Sequence, residues 1–227
     1  MIARALIDLR EMLQKNRIAF GLRVGAAERG DDDLAPYHAR LLESWQERFR
    51  ELEHEVDTQL GQLAEEEAIV QMMMGVRGVG PILAMRVAAH IDIRRSDTVS
   101  ALWRYAGYAV FDGERERLKK GEQAHFNKRL KTACYLVGSS LIKSNSPYRI
   151  VYDEAKEHYH NTHPDWTKAH THMASMRKMI KIWLAHVWII WRGLEGLPIR
   201  DPYVFDYLGH THQYRPEDFG WPVKVTE

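Results

Sequence analysis

Along the first third of the chain, apolar residues return every three or four positions. Ile2, Leu6, Leu9 and Leu13 form one stripe, with Phe20 seven residues further on; Leu42, Trp45, Phe49, Leu52, Val56, Leu60 and Leu63 form a second. Such spacing places apolar side chains along one face of a helix, and charged residues fill the other positions. Between the stripes, GLRVGAAERGDDDLAPY (21 to 37) breaks the pattern with glycines, a triple aspartate and Pro36, which predicts a loop. Two striped helices joined by a loop predict an antiparallel coiled-coil arm over residues 1–70. The arm either serves only its own core or projects as a protein contact; in the second case Leu42, Trp45, Phe49, Leu52 and Val56 are the dimer seam.

Further helices follow, so the fold class reads as mainly α. The stretch GVRGVGPILA (75 to 84) is a glycine turn running into a helix, and residues 78–93 read as a hairpin turn plus helix. Residues 98–107 predict a short helix capped by Thr98 or Ser100 and stopped by Gly107. YAVFDGERERLKKGEQ is less regular, a loop or short hairpin. Helix returns at 126–144 and 147–160, and a last long helix runs from His172 to Leu194 with Met176, Met179, Ile180, Trp183, Leu184, Val187 and Ile190 on its apolar face. Residues 71–197 thus form a helical domain, and 198–227 an irregular tail rich in aromatics and prolines.

Charge changes this picture. The overall formal charge is only +1, but residues 1 to 70 hold nine Lys/Arg against fifteen Asp/Glu, net −6, and residues 94 to 149 hold twelve against five, net +7. Basic charge gathered in one segment of a near-neutral chain is the footprint of a polyanion partner, although a solvated helix face can also be basic. The single cysteine, Cys134, excludes an internal disulfide and a thiolate zinc cluster. No leader pattern and no apolar run of membrane-spanning length occurs, so the expected location is cytoplasmic, with no membrane partner.

The candidate chemistry is phosphate binding. A helix that starts at a glycine turn leaves amides uncovered, and Gly78 and Gly80 in a helix-hairpin-helix pattern would present them to a phosphodiester; a plain packing turn is the competing reading. Downstream lie RERLKK, with Lys119 and Lys120, then HFNKRLK, with Lys128, Arg129 and Lys131 at a helix start whose dipole disfavours cations, then MRKMIK, with Arg177, Lys178 and Lys181. An external phosphate would relieve that conflict. His125, Asn127, His170 and His172 are candidates for polar contacts to sugar or base. Five histidines crowd 158–172, but no carboxylate-histidine set has a dependable ligand spacing, so no metal is expected. No inward-facing carboxylate set suits two-metal nuclease chemistry, and Ser139, Ser140, Ser144 and Ser146 read as helix or helix-end residues.

Together, GVRGVGPILAMRVAAHIDIRR, ALWRYAGYAVFDG, FNKRLKTACYLVGSSLIKSNSPYRIVYDEAKEHY and TKAHTHMASMRKMIKIWLAHVWIIWR resemble the C-terminal domain of the bridge-RNA-guided insertion-sequence transposases, over roughly residues 40 to 195. In that family an N-terminal RuvC-like domain carries acidic residues and the C-terminal domain a nucleophilic serine. This chain has a helical arm where the acidic domain stands, and Asn127 before Lys128 where the transposases have serine followed by lysine. The arm plus basic domain is also similar to the Nop domain of box C/D ribonucleoproteins and to the Tas proteins of TIGR systems, some of which lack a nuclease domain. That resemblance implies a homodimer that binds a guide RNA, leaves target DNA to base pairing, carries no catalytic residue or cofactor of its own, and works with any nuclease only in trans. The competing reading is a DNA transposase or recombinase with a borrowed or unrecognised catalytic site.

Overall fold

The computed structural model describes residues 2–31, 36–111, 114–115, 121, 123–199 and 214–222. Its architecture is mainly α, with eight α-helices and one two-stranded hairpin among these residues. The chain forms two compact units, Met1–Glu66 and Glu67–Glu227, so the division falls just before residue 70.

The first unit is a helical hairpin of α1 (Ile2–Glu28) and α2 (Pro36–Glu66). It is antiparallel: Arg10 pairs with Asp57 and Arg17 with Glu53. The loop expected from residue 21 starts later, because α1 runs through Gly21 and Gly25 to Glu28. A glycine inside a helix costs about 1 kcal/mol relative to alanine, and here helix packing overrides that preference. At Gly21 a Cβ would stand 2.6 Å from the Gln46 side-chain amide, so the bare backbone lets that side chain lie close. The helix ends where Gly30 takes a left-handed φ of +76° and the Asp31 amide donates to the Ala26 carbonyl at 2.9 Å.

Only part of the predicted stripes is buried. Leu13, Val24, Val56, Leu60 and Ala64 are inside, whereas Ile2 and Leu9 face solvent. Phe20 packs on Phe49 and Trp45, with ring centroids 5.5 and 6.4 Å apart. Arg17 grips the nearly buried Glu53 through two parallel hydrogen bonds of 2.6 and 3.2 Å, a geometry that fixes the pairing of the two helices. Of the proposed dimer seam, Val56 and Phe49 are therefore engaged within the hairpin. Trp45 and Leu52, 50% and 44% exposed, remain on its surface beside half-buried Leu42.

The second unit is built around one long helix. After α3 (Ala68–Met74) and α4 (Pro81–Ala88) come α5 (Val99–Tyr105), the strands β1 (Val110–Phe111) and β2 (Glu114–Arg115), α6 (Lys128–Lys143), α7 (Arg149–Thr162) and α8 (Lys168–Leu194). β1 and β2 are antiparallel, with Val110 opposite Arg115 and Phe111 opposite Glu114. Helix α8 packs against α3, α5, α6 and α7, and Met176, Met179, Ile180, Trp183, Leu184, Val187, Trp188 and Ile190 are all buried. At its closest approach to α6 a Cβ on Gly138 would stand 2.6 Å from Ile180. Residue 138 must be small for the two axes to come this near. Thr98, Asn127 and Thr167 cap α5, α6 and α8 with side-chain oxygens. The Thr167 cap starts α8 at Lys168, one turn before the expected His172, so His170 also belongs to the helix.

The described part of the expected tail, 214–222, is an integral piece of this unit. Phe219 and Trp221 are buried, and a chain of hydrogen bonds holds the segment down. His186 Nε2 lies 2.8 Å from the Tyr214 carbonyl, Tyr148 hydroxyl pairs with His186 Nδ1, and Trp221 Nε1 donates to the Tyr148 oxygen at 2.7 Å. One protonation state satisfies all three: a neutral imidazole with its proton on Nε2. Burial pushes His186 down to about 4, against smaller upward pulls from the Tyr214 carbonyl and Asp218. Among the described residues no helix is long and apolar enough to cross a membrane.

A pH dependence follows from this imidazole. Below about 6.5 the unfolded chain takes up a proton that the folded chain refuses, so stability is complete above that pH and falls as pH drops toward 4. The loss at pH 4 is about 3 kcal/mol by the linkage relation for a shift of this size. Urea midpoints measured between pH 7 and 4 should fall accordingly, and His186→Gln should flatten that part of the curve; an unchanged slope would remove His186 from this role.

Candidate nucleic-acid interface

The glycine turn is shaped first by packing. Gly78 has φ +97°, and a Cβ on it would overlap the Ser144 hydroxyl. Ser140 donates to the Gly78 carbonyl at 2.6 Å, and Ser144 hydroxyl lies 3.4 Å from the Arg77 carbonyl, so the end of α6 is fastened to the turn. Gly78 is therefore a close-approach residue, and its proposed exposure to phosphate gives way to helix packing. Gly80 is different. It is exposed, adopts φ −87° at the N-cap of α4, has nothing within 4 Å of where its Cβ would be, and leaves the helix without a side-chain cap. Open amides at that end can accept an anion.

The basic residues separate into exposed and half-buried sets. Lys128 and Arg129 are exposed on the first turn of α6, after the exposed His125. Lys119 and Lys120 lie outside the described residues. Asn127, expected to touch sugar or base, is committed to structure: its Oδ1 accepts from the Arg129 and Leu130 amides, both at 3.0 Å, and its Nδ2 donates to the Tyr105 hydroxyl at 2.9 Å. An asparagine at an N-cap has both its functions used this way.

Lys131, Arg177 and Lys181 converge from two helices on the segment that leaves α5. Lys131 Nζ sits 4.0 Å from the Phe126 ring centroid, and its stem lies against Gly107. Arg177 donates to the Ala109 carbonyl at 2.7 Å, with its guanidinium 5.3 Å from the Tyr108 ring centroid. Lys181 Nζ stands 4.0 Å from the Trp103 centroid, while Trp103 Nε1 donates to the backbone carbonyl of Lys181 at 2.9 Å. Each cation thus rests on an aromatic face, which stabilises it by about 0.5–2 kcal/mol depending on solvation. Burial, and then the like charge of Arg177 one turn earlier, lower the pKa of Lys181. Both influences disfavour its ammonium. A bound anion would reverse them.

The histidines divide similarly. His170, Arg177 and Lys181 recur at i, i+7 and i+11, on one face of α8, with Lys178 half-buried beside them. His170 is exposed and stacks flat on Trp166, centroids 4.0 Å apart and planes at 8°; His163 and Tyr159 crowd the same indole. His172 is half-buried and pairs through Nδ1 with the Tyr152 hydroxyl at 2.7 Å, which ties α8 to α7. Among the described residues no three His, Cys, Asp or Glu side chains gather around a common point. Burial raises the Cys134 thiol, which disfavours the reactive thiolate.

Sequence patterns did not single out the rings beneath the cations. Trp103, Tyr108 and Phe126 are buried, yet each presents one face to a cation. Their neighbours in space come from segments tens of residues away, which no local pattern reveals.

Two substitutions separate packing from ligand approach. Gly78→Ala should destabilise the fold by at least 1–3 kcal/mol, because both the left-handed backbone and Ser144 oppose it. Gly80→Ala should leave thermal stability almost unchanged and weaken phosphate binding if the α4 amides are used. Lys181→Met tests the strained ammonium: it should raise the thermal midpoint by a few degrees while lowering affinity for a polyanion. A fall in both would show that Lys181 is a structural residue.

No protein-family model, no characterised protein and no solved structure matches this chain.

Proposed function

We propose that this chain is a guide-RNA-binding protein without a nuclease of its own, acting as a homodimer and leaving recognition of target DNA to base pairing. The observation that carries the reading is the gathering of Lys131, Arg177 and Lys181 on the aromatic shelf of Trp103, Tyr108 and Phe126, beside the exposed Lys128 and Arg129. Basic side chains gathered on one surface favour a polyanion, which brings the opposite charge and releases its own counterions on binding. Such a surface contacts backbone rather than base edges. A guide that supplies sequence makes base contacts by the protein unnecessary.

The exposed Trp45 and Leu52 on α2 support a contact between copies through the hairpin. The serines weigh against the transposase reading. Ser140 and Ser144 are engaged with the glycine turn and Ser146 is buried, and among the described residues none of the three has a hydrogen bond to a base.

The test is expression beside the native locus followed by sequencing of the copurified nucleic acid. A discrete small RNA is the expected result, and a preparation free of nucleic acid overturns the reading. Lys128→Glu combined with Arg129→Glu should abolish RNA binding with an unchanged circular dichroism spectrum, since both side chains are exposed. Wild-type affinity should fall steeply with salt, with a log-log slope of about −0.7 per phosphate neutralised on a single strand.

A further inference from the structure

Helix α6 carries Lys128, Arg129, Lys131 and Lys143 and not one acidic residue over sixteen positions. On the face that holds Lys128 and Lys131 stands Tyr135, one turn beyond Lys131 and about 10 Å along the axis from Lys128. Tyr135 is 43% exposed, and among the described residues no ring, cation or hydrogen-bond partner covers it. A second ring, Tyr105 at the end of α5, is equally exposed and is hydrogen-bonded to the N-cap residue of α6. Its hydroxyl accepts from Asn127 Nδ2, and its carbonyl accepts from the Asn127 amide at 2.8 Å. Two bonds from the N-cap therefore hold residue 105 in place with an open ring face. Trp103, Tyr108 and Phe126, by contrast, already have a cation against one face.

Exposed tyrosine rings set beside cations on one helix are the arrangement on which unpaired bases stack while their phosphates are neutralised. Bases stack on such rings only when they are unpaired, since in a duplex their faces are already occupied. From this geometry we infer that Tyr105 and Tyr135 form a stacking platform for unpaired nucleotides, with Lys128 and Lys131 holding the intervening phosphates. The inference rests on the nucleic-acid reading above and sharpens it: this face takes single-stranded segments of a polynucleotide and not its helical stems. An acidic protein would satisfy the cations but leave both ring faces without a planar partner. That asymmetry favours the polynucleotide.

The experiment measures fluorescence-anisotropy affinities of the full chain for 12-nucleotide oligo(U), oligo(A) and oligo(dT), for a blunt RNA duplex of the same length, and for poly-glutamate. Tyr135→Ala should weaken single-strand binding roughly tenfold, the fold-change that corresponds to losing one stacked base, and leave duplex binding almost unchanged. Tyr135→Phe keeps the ring and should retain affinity. Tyr105→Phe should retain stacking, and Tyr105→Ala should lose it. Equal losses on duplex and single strand, or no loss from Tyr135→Ala while Lys128→Glu with Arg129→Glu still abolishes binding, would overturn the platform but leave the guide-RNA reading in place. Poly-glutamate binding as tightly as oligo(U), with no effect of Tyr135→Ala, would also overturn it. Failure of the wild type to bind any oligonucleotide would remove both. Within a positive result, preference for oligo(U) over oligo(dT) assigns the platform to RNA, and equal affinity assigns it to either strand.

Discussion

Burial of α8 is the constraint on which the second unit depends. Its side chains from Met176 to Ile190 are enclosed by α3, α5, α6 and α7, and Trp183 and Trp188 are fully buried. Removing one such indole from a core typically costs about 3–5 kcal/mol, a large share of the net stability of any domain. Trp188 Nε1 donates to the Ser96 carbonyl at 2.7 Å, and Arg192 reaches the Ser96 and Pro198 carbonyls, so the polar groups at the far end of the helix are satisfied as well. With the axis fixed in this way, the cationic turn from Arg177 to Lys181 has one place to point.

The same burial explains the unusual state of the basic surface. Lys181 lies on a helix whose neighbouring positions are in the core, so its ammonium is drawn down onto Trp103 and partly out of water. A fold maximising its own stability would put a methionine or leucine there. Burial first, and then the like charge of Arg177, disfavour the Lys181 ammonium, and an anion beside it would offset both. The hydrogen-bonded cluster of Tyr148, His186 and Trp221 has the opposite character. Every polar atom in it is paired internally, which suits a latch for the C-terminal segment and leaves nothing for a ligand.

The two proposals use different parts of one surface. The half-buried cations on the α5 shelf answer to charge alone, whereas the open rings of Tyr105 and Tyr135 respond to planar partners. A polymer with both phosphates and unpaired bases is the ligand that meets both requirements. The acidic hairpin of the first unit carries charge of the wrong sign for that role, and its exposed apolar residues fit protein contact better.

Periodicity identified α2 and most of α8, and capping chemistry located the start of α5, because these signals are local: side chains three or four apart meet on a helix whatever surrounds it. Charge counts along the chain likewise revealed where the cations lie. Sequence could not show that α1 continues through Gly21 and Gly25, since the packing that carries the helix past them comes from α2. Nor could it distinguish Gly78, held against Ser144, from Gly80, which is open, though both stand in the same turn. Asn127 looked like a ligand contact; its oxygen caps α6 through local bonds, and only the folded chain places Tyr105 beside its Nδ2. Which residues form helices was written in the order of amino acids; which of their polar groups remain available for a partner was decided by contacts between distant segments, and those exist only once the core around α8 has closed.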